Sequence, residues 1–237
     1  MSNPRPGAGL RAVLFDAGNT LVFLDYARLA EGVSAAIGLP LTGEGLARHR
    51  AAATRAMESA TGGDRHRAAA YLESLFLLSG VPPESLDEVR DCLSRMHVER
   101  HLWSVLADRS AESLARLRQA GLKLGVVSNS DGRVEQALAA AGIRHYFDVV
   151  IDSALLGVEK PDPRIFHAAL EALGVAPEEA LYVGDLYDID VLGARAAGLD
   201  AVLLASPEHM TGLDCRVTAS IPDLVDDLLS PNARNGN

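Results

Sequence analysis

The chain lacks the features that mark several classes of protein. Its 237 residues include only two cysteines, Cys92 and Cys215, which lie far apart without metal-binding spacing, so we expect free thiols in a reducing compartment. No run of Lys or Arg is present, and the formal net charge of −10 argues against nucleic acid as a partner. No apolar run reaches the length of a membrane span, and residues 1–9 contain Pro and Gly where a signal peptide has an apolar core. These absences predict a cytoplasmic protein that binds neither nucleic acid nor membranes.

What the chain does have is the pattern of a globular α/β protein. It is 48% hydrophobic and 23% charged, which is ordinary for a chain that buries a core. After residue 110, short apolar runs alternate with stretches of helical periodicity, and this alternation predicts a doubly wound parallel sheet. The predicted strands cover 12–15, 123–128, 147–151, 180–183 and 201–204, and the predicted helices of this part cover 111–120, 133–141, 163–173, 188–197 and 221–229.

The segment after the first strand has a different pattern. Apolar residues recur at helical spacing in four stretches separated by Gly or Pro, namely 29–37, 46–57, 67–78 and 85–102, and Thr42 can cap the second of them. We expect no strand in this segment. The sequence therefore predicts an α/β core domain made of residues 1–22 and 103–237, interrupted by an inserted α-helical domain at 23–102.

Polar residues follow several predicted strands at the point where each one ends. Asp16 comes directly after the buried run Ala12–Phe15, Ser128 ends another strand, and Asp185 follows a third. Lys160 lies before Pro161 in a predicted loop, and Asp190 lies shortly after Asp185 in the first turn of the predicted helix 188–197. Taken alone, each residue has an ordinary structural explanation, such as a turn cap or a solvated loop cation. Their convergence at the carboxyl edge of one sheet, where open α/β folds place their sites, favours a catalytic centre.

These residues occur in motifs that resemble those of the haloacid-dehalogenase-like (HAD) hydrolase superfamily. The similar segments are Ala12–Asp16, Val127–Asn129, Glu159–Pro163 and Val183–Asp190, in the family's order, and the likeness extends to Gly198. The resemblance implies a Rossmann-like HAD core. The helical insert resembles the cap domain of the subgroup with helical caps.

The resemblance also implies a mechanism and a cofactor. Asp16 would be the nucleophile that attacks phosphorus, and Lys160 would be a second catalytic residue that adds positive charge beside it. Mg²⁺ would be held by Asp16, Asp185 and the backbone carbonyl of Gly18, because it is a hard cation that prefers oxygen ligands.

Further residues would bind the substrate, a small phosphorylated metabolite, or support the site. Asp190 would orient groups beside the metal. The residues expected to bind the substrate are Thr20, Ser128, Asn129 and Lys160.

Gly18 departs from the family pattern. Phosphatases of the family usually carry a second Asp at this position, which acts as general acid and base, and glycine cannot transfer a proton. We therefore expect retained metal binding with weakened acid–base chemistry, a contribution of about 10²–10⁴-fold in rate. Groups that could substitute for the missing carboxylate are Asp25, Tyr26, His49, His66, His97 and His101.

Three other functions follow from the same departure or the same family. A 2-haloacid dehalogenase also lacks the second Asp, but that branch lacks the metal-binding Asp that this chain keeps as Asp185. A phosphonate-cleaving enzyme needs a lysine in its cap. The two lysines of the chain, Lys123 and Lys160, both lie outside the predicted cap, so we reject this function. A non-enzymatic binding or regulatory protein on a hydrolase scaffold remains open, as does the choice between a monomer and a homodimer.

Overall fold

The chain divides into two compact units in a computed structural model that describes residues 9–205 and 213–230. One unit comprises Met1–Phe23 and Leu106–Asn237, and the other comprises Leu24–Val105. The role of the second unit as a cap, predicted for residues 23–102, stays a prediction. The interpretation of residues 1–9 falls almost entirely outside the described part of the chain. Among the described residues, no helix combines the length and the apolar character needed to cross a bilayer.

Six strands of the first unit form one parallel sheet, which confirms the predicted fold class. Its strand order is β5-β4-β1-β6-β7-β8, while β2 and β3 form a separate two-stranded sheet. The strands are β1 (Ala12–Phe15), β2 (Val22–Leu24), β3 (Trp103–Leu106), β4 (Lys123–Ser128), β5 (Val149–Asp152), β6 (Ala180–Gly184), β7 (Asp200–Leu204) and β8 (Arg216–Thr218).

Helices make up most of the second unit and connect the strands of the first. The helices of the second unit are α1 (Tyr26–Ile37), α2 (Gly43–Ala47), α3 (Arg50–Ser59), α4 (Asp64–Leu78) and α5 (Leu86–Glu99). Those of the first unit are α6 (Ser110–Gln119), α7 (Val134–Ala140), α8 (Ser153–Leu156), α9 (Pro163–Leu173), α10 (Leu192–Ala196) and α11 (Ile221–Leu229).

Several details of the element prediction were wrong, including the unexpected short helix α8. The strands β2, β3 and β8 were not expected, because β2 and β8 have only three residues each and β3 is only partly buried, so none of them stands out as a buried apolar run. The single helix predicted over 46–57 is two helices, α2 and α3, separated at Arg48 and His49. The helix predicted over 188–197 begins as a π-helical turn, Tyr187–Val191, before α10.

The core of the first unit forms where the sheet is covered by helices. All four residues of β1 are fully buried, as expected for a central strand of a parallel sheet. Helix α9 contributes an apolar face that includes Phe166 and Leu170, and this face packs in one cluster with Leu14 and Tyr182 of the sheet. Gly174 ends α9 with a left-handed backbone at φ 62°, a conformation that glycine adopts without steric cost.

Asp152 ties the segment that follows β4 to the end of β5. Its carboxylate accepts hydrogen bonds from the backbone N–H groups of Gly132 at 3.0 Å, Val134 at 3.2 Å and Ala154 at 3.0 Å. The residue is 4% exposed. A buried anion with three hydrogen-bond donors is well satisfied, so Asp152 holds the segment after β4 against the start of α8.

We expect Asp152→Asn to lower the free energy of unfolding by about 1–3 kcal/mol, because the amide nitrogen would face a backbone donor in place of an acceptor. Urea denaturation of the parent and the variant measures this loss. The control is Asp87→Asn, whose parent side chain is 92% exposed. A change smaller than that of the control would show that Asp152 does not hold the loop.

Candidate active site

Three neighbouring strands bring their carboxyl ends together at the centre of the sheet. In the register, Phe15 of β1 lies beside Val126 of β4 and Val183 of β6. The N–H of Asp16 donates to the carbonyl of Val183 at 2.8 Å, so the backbone at Asp16 continues the ladder. Asp16 therefore lies between the ends of β4 and β6, the strands that lead to Ser128 and Asp185.

The Lys160 ammonium group lies at the centre of this edge. Its Nζ donates to Asp16 Oδ1 at 2.6 Å, to Asp190 Oδ1 at 2.8 Å and to the hydroxyl of Tyr182 at 3.0 Å. The side chains of Lys160, Asp16 and Asp190 are 3%, 10% and 1% exposed. Such a buried charge is tolerated because it is paired and fully hydrogen-bonded.

Asn129 holds the backbone of the same lysine. Its side-chain Oδ1 accepts from the N–H of Lys160 at 2.7 Å, and its Nδ2 donates to the carbonyl of Lys160 at 3.1 Å. This two-point contact links the loop after β4 to the loop before α9. The expected contact of Asn129 with substrate stays a prediction.

Asp190 reaches the lysine because the chain turns tightly after β6. Its Oδ2 accepts from the N–H of Leu186 at 2.9 Å, and its backbone N–H donates to the carbonyl of Leu186 at 2.8 Å. A Cβ placed on Gly184 would lie 2.3 Å from Cγ of Asp190. Residue 184 must therefore be glycine for the Asp190 carboxylate to occupy this position.

Burial and neighbouring negative charge raise the pKa values of Asp16 and Asp185. Burial, and secondarily the charge of Asp190, raises the pKa of Asp16 to about 6 against the lowering effect of Lys160. Burial and the charges of Asp16 and Asp190 hold the pKa of Asp185 well above its usual range. Burial lowers the pKa of Lys160, but Asp16 and Asp190 outweigh it, so its pKa lies well above the ordinary value and the group stays charged.

Two further predicted residues are buried, Thr20 in the turn after Asp16 and Ser128 at the end of β4. The N–H groups of Leu21 and Val22 both donate to the carbonyl of Ala17, at 2.9 Å each, and close the turn tightly. The Thr20 side chain is fully buried, and its hydroxyl has no hydrogen-bond partner within the described residues. Ser128, 4% exposed, makes only a long contact of 3.4 Å with the carbonyl of Asn129.

The first unit thus brings together Asp16, Lys160 and Asp190 in direct contact, with Asp185 close enough that their charges shift its pKa. The sequence analysis missed Tyr182, although a tyrosine in an otherwise aliphatic buried strand is a usable signal, since a buried phenol hydroxyl usually finds a partner.

The predicted substitutes for the acid at Gly18 lie in the second unit, and the contacts of Asp25 and Tyr26 are as follows. Asp25 caps α1 by accepting from the N–H of Arg28 at 3.1 Å, and it pairs with Arg100 at 2.8 Å. The Tyr26 hydroxyl lies 2.9 Å from that of Tyr71. Their participation in chemistry stays a prediction.

Comparison with known proteins agrees with this geometry. A family model described as haloacid dehalogenase-like hydrolase matches residues 10–198. The chain is 46% identical over 120 residues to the bovine haloacid dehalogenase-like hydrolase domain-containing protein 3, covering 51% of this chain and 46% of that protein. It is 41% identical over 125 residues to a phosphoserine phosphatase of Thermus thermophilus, covering 52% of this chain and 49% of that protein. The chain thus matches about half the length of these curated relatives.

A solved structure shows the same fold. The magnesium-bound HAD-hydrolase YfnB of Bacillus subtilis superposes with a TM-score of 0.66 at 21% identity, covering 92% of this chain and 97% of that one. The family match spans residues 10–198, which is most of the sequence. The chain belongs to the haloacid dehalogenase-like hydrolases.

Proposed function

We propose that the chain is a Mg²⁺-dependent phosphatase that hydrolyses a small phosphorylated metabolite through Asp16. The observation that carries this proposal is the buried Asp16 carboxylate, held at 2.6 Å by Lys160 and close to Asp185. The similarity to a protein named as a phosphoserine phosphatase supports phosphate chemistry. Because only about half of that relative is matched, the substrate class is part of the proposal.

The residues present fit a magnesium ion. Asp16, Asp185 and Asp190 supply three carboxyl groups beside the single ammonium of Lys160, and burial, followed by the charges of Asp16 and Asp190, raises the pKa of Asp185. Asp16, Asp185 and the carbonyl of Gly18 would hold the ion with oxygen donors, which is the donor set that Mg²⁺ prefers. When bound, the ion supplies positive charge that offsets the repulsion between the nucleophile and a phosphate dianion.

The reaction would consist of two displacements at phosphorus. An oxygen of Asp16 attacks the phosphorus, the bond from phosphorus to the leaving alcohol oxygen breaks, and an aspartyl phosphate forms. Water then attacks the same phosphorus, which releases inorganic phosphate and restores the carboxylate. Lys160 orients Asp16 throughout, and the hydroxyls of Ser128 and Thr20 would donate to the phosphoryl oxygens.

Proton transfer is the step that this chain supports least. The leaving oxygen needs a proton and the attacking water must lose one, and Gly18 offers no group for either. We propose that the enzyme is slow or acts on a substrate whose leaving group needs little help. The alternative of a binding protein without turnover rests on the same glycine.

Asp16→Asn is expected to lower the release of inorganic phosphate from p-nitrophenyl phosphate by about 10³-fold or more, because the nucleophile is lost. The assay runs in Mg²⁺ and again with EDTA, which should reduce the parent to the level of the variant. Asp227→Asn, an exposed change on α11, serves as the control. Equal activity of Asp16→Asn and the parent would refute the mechanism.

Gly18→Asp should raise the rate by about 10²–10⁴-fold if the missing acid limits turnover. Gly18 is not among the glycines with a left-handed backbone, so a side chain there meets no conformational penalty of that kind. The measurement is kcat for p-nitrophenyl phosphate beside kcat for a substrate with an alkyl leaving group, which depends more on the acid. An unchanged or lower rate on both would show that another group already supplies the proton.

Asp185→Asn should stabilise the protein in EDTA by on the order of 1 kcal/mol and abolish its stabilisation by Mg²⁺. The raised pKa of Asp185 means that the folded chain binds this proton more tightly than the unfolded chain, so the group's contribution to stability falls as pH rises. The advantage of the variant is therefore expected at pH 8 and should shrink in acid. Thermal denaturation with and without Mg²⁺ measures both effects.

The matched control for this experiment is Asp188→Asn, an exposed carboxylate in the same turn. It should leave both the stability in EDTA and the response to Mg²⁺ unchanged. A parent protein that Mg²⁺ does not stabilise at any pH would contradict the assignment of the metal site.

A further inference from the structure

The hydroxyl of Tyr182 lies inside the charged cluster, although no motif of the sequence includes it. It accepts from Nζ of Lys160 at 3.0 Å and lies 3.1 Å from Oδ1 of Asp190 and 3.0 Å from the carbonyl of Val127. The residue belongs to β6 and is fully buried. Its oxygen therefore touches groups from three separate parts of the sheet edge.

The ring of Tyr182 has little freedom to move. Phe166 packs against it edge-to-face, with ring centroids 5.0 Å apart and an interplanar angle of 81°. The backbone on which it stands is paired with β1 on one side and β7 on the other. A phenol held in this way presents its oxygen at a fixed point, at little further cost in conformational entropy.

The Tyr182 oxygen completes the hydrogen bonding of the Lys160 ammonium group. The Lys160 ammonium has three N–H groups, and the structure provides three acceptors, namely Asp16, Asp190 and Tyr182. The tyrosine has one O–H of its own, which it can donate to Val127 or to Asp190. Burial, followed by the charge of Asp190, raises the pKa of Tyr182 well above its ordinary value, so the phenol stays neutral and keeps this proton.

We propose that Tyr182 is a positioning residue, whose hydroxyl fixes the Lys160 ammonium so that one of its N–H groups points at the nucleophile Asp16. The catalytic part of this inference rests on the proposed phosphatase function, whereas the positioning of the ammonium does not. Tyr182 acts only through Lys160.

Removal of the hydroxyl leaves one N–H of a buried ammonium without its acceptor. The ammonium then rotates or draws in water, and its bond to Asp16 loses its single orientation. This loss affects the attack by Asp16 more than it affects the binding of substrate, because Lys160 is only one of the four residues expected to bind the substrate. We therefore expect kcat to fall while KM stays nearly constant.

The first experiment observes the lysine directly and needs no enzymatic activity. The chain contains only Lys123 and Lys160, so labelling with ¹⁵N-lysine gives two side-chain ammonium groups. In the parent protein, Lys160 should give a slowly exchanging ammonium signal. In Tyr182→Phe, this signal should shift, and its hydrogen exchange should accelerate about tenfold or more.

The control for this experiment is Tyr71→Phe, which removes the hydroxyl of another fully buried tyrosine, one that belongs to the second unit. It should leave the Lys160 signal unchanged. If the parent shows no protected ammonium signal, or if Tyr182→Phe leaves its position and exchange unchanged, the inference is wrong. Should Tyr182→Phe fail to fold, the parent still tests the inference, because the absence of a protected Lys160 ammonium signal contradicts it.

The second experiment measures p-nitrophenyl phosphate hydrolysis by the same three proteins at equal folded fraction. Tyr182→Phe should lower kcat about tenfold with KM within about twofold of the parent, as expected for the loss of a hydrogen bond to a charged group. A purely structural role would leave kcat per folded molecule unchanged, which would overturn the catalytic part. A parent without activity contradicts the proposed function, while the ammonium signal still tests the positioning.

Discussion

One buried ammonium group, that of Lys160, controls the arrangement of the site. It is shared at 2.6 Å and 2.8 Å by two carboxylates that approach from different strands, Asp16 after β1 and Asp190 after β6. Without it, these buried like charges would repel each other and their desolvation would be unbalanced. The Asn129 amide holds the backbone of Lys160, and the Tyr182 hydroxyl contacts its ammonium. The absence of a side chain at Gly184 makes room for Asp190, the partner of the lysine.

The sequence was sufficient to predict the fold class and the place of the site. Apolar runs such as Ala12–Phe15 identify buried strands by composition alone, and their alternation with helices predicts a parallel sheet. Because the carboxyl ends of parallel strands meet at one edge, Asp16, Asp185 and the lysine loop could be brought together without coordinates. The helix ends were also accessible, as Thr42 shows by capping α2 through the N–H of Gly45 at 3.0 Å.

The remaining features depend on contacts that sequence spacing does not encode. Tyr182 looks like any core residue of β6 until the fold places Lys160 at its hydroxyl, and Asp152 looks like a surface acid until three backbone donors surround it. The strands β2 and β8 have three residues each, and β3 is not a buried apolar run. The break between α2 and α3 occurs at Arg48 and His49, residues that do not themselves interrupt a helix.

The position of β1 in the sheet has a consequence for the order in which the protein can fold. Strand β1, which leads to Asp16, is synthesised before its neighbours in the sheet, which begin only at Lys123 and Ala180. Closing such long loops is slow compared with forming local helical contacts, so β1 has to wait, unpaired and apolar, while the helices encoded after it form. Completion of the sheet edge at Asp16 then has to follow the synthesis of β6.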